Sequence, residues 1–213
     1  GERSNFLKLL ISIIIFSFFV FRTSYLKMIL FFLISMVFIV GILNFSKNYK
    51  YRYIDQMEIF SKENGIIKYY KSSQYGAHYN VAMKIFIEYP LFGVGIKNFR
   101  FESGKEKYTN NEFKATDSRQ ATHPHQVHLE FLSETGIFGY FSFLLFIIYS
   151  LSISFKNYLR YKNIFQLSSI IFIITSLIPM LPSGSFLSTF NSGIFWINYI
   201  IMIGMCKNLK FKL

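Results

Sequence analysis

The chain has a single cysteine, Cys206, so it can build neither a disulfide framework nor a multi-cysteine metal site within itself. Acidic residues are scarce as well: 11 Asp and Glu stand against 23 Lys and Arg, giving a formal net charge of +12. Such a surplus would suit a nucleic-acid binder if the cations lay on a soluble face or arm, but here they flank apolar runs, which excludes that class. What the chain has in plenty is apolar mass. Hydrophobic residues make up 52% of it, with 27 Phe and 15 Tyr and a mean hydropathy of +0.34. These residues come in blocks without helical or strand periodicity, the pattern expected when lipid surrounds a helix on every side. Membrane lipid is the first partner.

Five apolar runs are predicted to be transmembrane helices: 6–21, 28–43, 137–155, 164–181 and 193–206. The first contains Lys8, which can snorkel. The first two read as close-packed helices joined by the basic turn Arg22-Thr23-Ser24-Tyr25-Leu26-Lys27. The fold class is therefore all-α, a polytopic bundle in three parts: two helices over 1–43, a large loop over 44–135, and three helices over 136–213. Alternating topology puts Arg22 and Lys27, then Lys156, Arg160 and Lys162, then Lys207, Lys210 and Lys212 on one side, which the positive-inside rule makes cytoplasmic. Gly1-Glu2-Arg3-Ser4, the loop, and the turn Pro182-Ser183-Gly184-Ser185 then share the outer face. A first residue already outside, with no signal peptide before it, leads us to expect further spans upstream.

The loop carries 13 Lys or Arg and 8 Asp or Glu over residues 44–128, a mildly basic surface suited to lipid headgroups or phosphates. Within it, 77–87 reads as a helix with Val81, Ile85, Met83 and Phe86 on its apolar side, ended by Glu88-Tyr89-Pro90. Gly93-Val94-Gly95 follows and reads as a turn rather than a phosphate cradle, with Lys97 and Arg100 as nearby cations.

Three of the four histidines fall in Thr122-His123-Pro124-His125-Gln126-Val127-His128. Pro124 suits the first position of a helix, which places His125 in a first turn where the dipole disfavours added positive charge. A neutral imidazole there has what a general base needs. A metal shared by positions 123, 125 and 128 fits less well, because His123 must fold back from outside the helix and no cysteine is near. A third reading is interfacial histidines that satisfy one another or solvent, and periodicity alone does not separate the three. Glu130 and Glu134 share a helix face and read as a structural edge paired with loop Arg and Lys. Arg3 is either an anchor or a clamp whose planar fork grips a diphosphate.

Taken together these segments resemble the O-antigen ligase and polymerase family of bacterial envelope glycosyltransferases. His125-Gln126, nine residues, then Gly136-Ile137-Phe138-Gly139 meets the ligase pattern in full. Pro90-Leu91-Phe92-Gly93-Val94-Gly95 resembles the loop signature before it, and Gly1-Glu2-Arg3-Ser4 the arginine-bearing start of an earlier span. The resemblance implies a helical, multi-span enzyme of the GT-C class in the bacterial inner membrane, with its active site on the extracytoplasmic face and this chain as its C-terminal half. It also implies transfer of glycan from an undecaprenyl-diphosphate-linked oligosaccharide to a glycan or lipid A-core acceptor, without metal or other cofactor. His125 would deprotonate the acceptor and Arg3 hold the diphosphate, with Gln126, Gly136, Gly139, Gly93 and Gly95 shaping the site. One departure stands out: the family's second arginine is absent, and Gln74, Tyr75 and His78 occupy its stretch. His78 if protonated, Arg100, Arg119 or Lys97 is expected to replace it. The rival from another class is a flippase or transporter of lipid-linked sugar. Such proteins gather charged or broken-helix features at the bilayer midplane, whereas these spans are nearly free of charge.

Overall fold

An apolar run leaves its own backbone as the only partner for its N–H and C=O groups, so each of the five runs becomes a helix. A computed structural model describes residues 2–21, 24–45 and 64–206. It contains α1 (Glu2–Val20), α2 (Tyr25–Phe45), the loop helices α3 (Gly65–Ser72), α4 (Gln74–Glu88) and the single turn α5 (Phe99–Glu102), then α6 (Val127–Tyr161), α7 (Ile164–Ser176) and α8 (Thr189–Gly204). No strand occurs among the described residues. The expected cytoplasmic cations Arg22, Lys207, Lys210 and Lys212, and loop residues 46–63, lie outside the described residues.

Arg3–Val20 and α6 are long and apolar enough to cross a membrane; Tyr25–Val37 and α7 are shorter apolar helices. Leu9, Phe18, Leu30, Phe141, Leu145 and Ile200 are exposed on these helices, a surface that water would penalise and lipid would not. Facing inward, Ile147, Leu167, Ile170, Ile173, Phe195 and Met202 form the bundle core.

Two expectations about the bundle need correction. Rather than packing closely on α2, α1 packs along α7, with Ser12 donating to or accepting from Thr175 across the interface (3.1 Å). Its far end meets α6 through Phe19, whose ring lies 5.8 Å from Tyr158 and 5.9 Å from Phe155. The reason lies in side-chain size. Ser4 and Ser17 are buried and Ser12 half-buried, so the small residues of α1 face the protein, where helices approach closely. The bulky Phe6, Leu10 and Ile13 instead line a groove of about 650 Å³ shared with Phe32 and Met36 of α2. The second correction concerns α7, which ends at Ser176 rather than at 181. Pro179 and Pro182 cannot continue a helix, and the Leu177 carbonyl is taken by the His128 ring (2.8 Å).

The loop has its own small core, in which Val81, Ala82 and Ile85 of α4 bury against Phe99 and Tyr108. α4 starts three residues before the predicted 77, because the Ser73 side chain caps it by accepting from Gly76 N (3.1 Å). It ends at Glu88, just ahead of Tyr89-Pro90 as expected. Met83, expected on the apolar side, is exposed, and Phe86 is half-buried.

Candidate active site

The site rests on a break in α6. At Gly136 the helix departs to φ 66°, ψ −169°, and its ladder opens on both sides. In an unbroken helix the carbonyls of Ser133 and Glu134 would take the N–H groups of Ile137 and Phe138. Here those four groups are exchanged with the 90–95 turn. Val94 and Gly95 donate to the carbonyls of Ser133 and Glu134 (3.0 and 2.9 Å), while Ile137 and Phe138 donate to those of Pro90 and Leu91 (2.8 and 3.4 Å). All four of these groups thus find a partner. The exchange requires backbones in contact, and glycine supplies the room on both strands of it. A Cβ on Gly136 would stand 2.4 Å from the Leu91 carbonyl, and one on Gly93 2.4 Å from the Glu134 carbonyl carbon. The two glycine motifs are thus halves of one backbone clasp, and the Gly-x-Gly is a docking turn rather than a phosphate cradle.

Two buried carboxylates fix the segment further. Glu134 accepts the amides of Lys97 (2.6 Å) and Phe99 (3.3 Å), holding Lys97 at φ 63° with its side chain outward. Glu130 accepts the Ser185 hydroxyl and the Phe186 amide (2.7 Å), tying down the 182–185 turn. The expected structural role therefore holds, but the hydrogen-bond partners are amides and a hydroxyl rather than loop Arg and Lys. Glu130→Ala leaves the buried Phe186 amide and the Ser185 hydroxyl without an acceptor, each costing about 1–3 kcal/mol. The expected outcome is a clearly lower melting temperature in detergent, with partial recovery in Glu130→Gln.

The histidine segment differs from its predicted form. The helix starts at Val127, and Gln126 is its extended N-cap, accepting Leu129 N (2.7 Å) through its side chain. A helical His125 would offer its carbonyl to that same amide. Instead its carbonyl takes Ser183 N (2.8 Å) and the residue adopts φ 57°, in the left-handed region. His125 therefore stands before the helix, and the dipole argument for its neutrality gives way to a different cause. Its ring lies 4.1 Å from that of His123, 5.1 Å from that of His78, on which it stacks, and 5.7 Å from Tyr75. Desolvation, with the neighbouring His123 and His78, lowers its pKa to about 4.

His123, expected to sit apart, is folded back onto His125. His128 is the one that leaves: its Nε2 donates to the Leu177 carbonyl, so its Nδ1 accepts from Tyr140 (3.0 Å). His78 was not expected in the cluster as a ring contact. It is buried, and Nε2 donates to the Ser118 carbonyl (2.9 Å). Burial lowers its pKa, so at neutral pH it offers a lone pair on Nδ1 rather than a cation. Burial likewise lowers that of His123. The buried polar atoms His78 Nδ1, His123 Nε2 and Ser183 Oγ have no hydrogen-bond partner among the described residues. No group of three His, Cys, Asp or Glu suited to a metal ion occurs among them either.

The cations are distributed unequally. Arg3 is in the first turn of α1 and exposed. Arg100 is exposed and close enough for its charge to act on both His123 and Glu134. Arg119, by contrast, spends its Nη atoms on the carbonyls of Thr116 (3.2 Å) and Gly104 (3.1 Å), bracing the loop. Gly139 lies inside α6, where it leaves room for the Thr135 side chain.

Two cavities flank the His125 segment. One, of about 430 Å³, opens between α1, α7, α8 and the 182–185 turn, with Asn5, Lys8, Val127, Ser183 and Asn191 on its walls. The other, of about 380 Å³, is walled by loop tyrosines together with Gln126 and His128. Sequence alone missed both, because each is assembled from segments far apart in the chain. The start of α1, the histidine segment and the 182–185 turn, expected to share a face, do meet at one end of the bundle.

An all-helical chain with helices of membrane-crossing character and a histidine cluster at one bundle end defines a class of membrane-type helical protein. The chain belongs to the O-antigen ligase family, whose model, described as O-Antigen ligase, matches residues 1–144. No curated protein and no solved structure matches the chain.

Proposed function

We propose that the protein is a glycosyltransferase of the bacterial inner membrane, a polymerase or ligase of surface polysaccharide that uses a lipid-diphosphate-linked glycan as donor. The observation that carries this reading is the position of His125, a neutral imidazole at positive φ within a histidine cluster, with Gln126 and Val127 after it each lining a cavity and unpaired polar atoms around it. Strained residues of this kind collect at functional sites. The five helical runs then span the bilayer, and the histidine end faces outward, opposite Lys27, Lys156, Arg160 and Lys162.

In this reading the acceptor hydroxyl attacks the anomeric carbon of the donor and its proton passes to His125. The bond from that carbon to the diphosphate oxygen breaks, and the lipid diphosphate leaves. Attack opposite the leaving group inverts the anomeric centre. A base of such low pKa is weak, but the hydroxyl turns acidic only as the new C–O bond forms, so proton transfer comes late. The negative charge that develops on the departing diphosphate is stabilised by cations, Arg3 at the start of α1 first, with Arg100 and Lys97 as the loop's contribution in place of the second arginine. No metal enters this scheme.

Purified protein given a lipid-diphosphate-linked glycan and a saccharide acceptor should release lipid diphosphate. Relocation of the sugar across a vesicle membrane with the glycosyl bond intact would show a transporter instead. The pH profile is a second check. A histidine whose pKa is lowered keeps its base form until pH falls through the lowered value, so kcat/KM should stay level from pH 7 to about 5 and drop towards about 4. An acid limb centred at or above the unperturbed value of about 6.5 would remove His125 from the role.

A further inference from the structure

Lys8 is a cation that the proposed chemistry does not use. It stands in the second turn of α1, roughly 9 Å below the helix start at 1.5 Å per residue, within the first apolar run. A charge inside a span is costly, and such residues face a protein interior or a cavity and find a counter-charge there. Lys8 shares a helix face with Ser4 and Ser12, and Ser12 meets Thr175 of α7 at 3.1 Å. Its half-buried side chain is thus turned towards the bundle, where it lines the 430 Å³ cavity between α1, α7 and α8.

The protein itself supplies no counter-charge. No carboxylate among the described residues lines the cavity, and the ammonium has no ion-pair or hydrogen-bond partner among them. Unlike the sealed Ser183 hydroxyl on the same cavity's wall, the Lys8 ammonium keeps accessible surface. The Asn5 amide and the Ser176 hydroxyl, also on the walls, are likewise without a partner among the described residues. One cation with neutral donors around it calls for an anion.

The rim of the cavity says how that anion arrives. Leu9, Phe190 and Ile194 line the cavity and are also exposed on the outside of the bundle, on the surface suited to lipid. A soluble anion would cross this apolar rim uncompensated, whereas an amphiphile lays its chain on the rim and its head on Lys8. The anionic head common among membrane lipids is a phosphate, whose oxygens can accept from an ammonium, an amide and a hydroxyl together. Arg3 faces a different direction, since the five residues between the two turn α1 by roughly 140°. We infer that Lys8 makes this cavity a seat for the phosphate head of a membrane lipid, separate from the diphosphate clamp at Arg3, with Asn5 and Ser176 as further donors. The lipid chain leaves across Leu9, Phe190 and Ile194. Such a seat is measurable whether or not the chain is a glycosyltransferase.

The test is native mass spectrometry of the full-length protein in dodecyl maltoside, titrated separately with farnesyl phosphate, dioleoyl phosphatidylglycerol and farnesol. At least one of the two phosphate lipids should bind one-to-one, with farnesol weaker by about tenfold or more. Lys8→Gln should weaken the phosphate lipid by about tenfold to a hundredfold, the worth of a charge-assisted hydrogen bond, and Lys8→Arg should keep most of the binding. Lys156→Gln, at the opposite end of α6, is the control and should bind as wild type does. Without lipid, Lys8→Gln should melt no lower than wild type, because it removes a charge that has no partner. Preference for farnesyl phosphate assigns the seat to a polyprenyl phosphate and preference for phosphatidylglycerol to the bilayer's own lipid; either supports the inference. No one-to-one binding of either lipid overturns it. So does farnesol bound as tightly as farnesyl phosphate, or equal binding by wild type and Lys8→Gln.

Discussion

His125→Ala should reduce glycosyl transfer by about 10²–10⁴-fold, the usual worth of a positioned general base, while the protein still inserts and melts near the wild-type temperature. Stability is spared because the segment is held by main-chain and capping bonds: the His125 carbonyl keeps Ser183 N, and Gln126 keeps Leu129 N. The variant that isolates chemistry from conformation is His125→Asn. Asparagine tolerates the left-handed region that φ 57° demands, yet brings no base. Both variants should show this loss at every pH, and full polymer production by either would end the assignment. Replacing His128 gives the contrasting result. His128→Ala strips the Leu177 carbonyl and Tyr140 of their partner, so its losses should follow stability rather than the acid limb of the pH profile.

Gly136→Ala should be the most damaging single change to the fold. Its φ of 66° and ψ of −169° fall in a region that is essentially reserved for glycine, and the added carbon would sit 2.4 Å from the Leu91 carbonyl carbon and oxygen. Neither backbone can yield without parting the four exchanged bonds of the clasp. We expect a loss of about 3 kcal/mol or more, combining strain with unpaired buried amides. It should be read as a lowered melting temperature and as new protease sensitivity around residues 90–95. Gly193→Ala is the control, since a Cβ there meets nothing within 4 Å. If Gly136→Ala melted like that control, the clasp would not be holding the site together.

Much of the site's local grammar was readable in sequence. The spacing from His125-Gln126 to Gly136 and Gly139 picked out one continuous segment, which the structure breaks and clasps at Gly136, and hydropathy located all five apolar helices. What escaped was set by contacts between distant segments. Nothing in the pattern around Gly93 names Gly136 as its partner, because a backbone exchange leaves no side-chain periodicity. The start of the helix at Val127 rather than Pro124 turns on a competition for the Leu129 amide, won by the Gln126 side chain because Ser183 claims the His125 carbonyl. His78 looked like a replacement cation only until its burial showed it neutral. The premature end of α7 follows from prolines that were visible, but the hydropathy of the residues around them outweighed the signal.

The clasp also sets an order on how the chain matures. The 90–95 turn leaves the ribosome well before residues 133–138, so its amides and carbonyls must stay hydrated until the following span has been threaded and its break has formed. Loop α4 can gather its own small core early, but the turn beside it cannot lock. The locked form of this end of the bundle is therefore acquired late, and a chain cut short before residue 138 would carry every histidine of the cluster without the clasp that fixes the segment behind them.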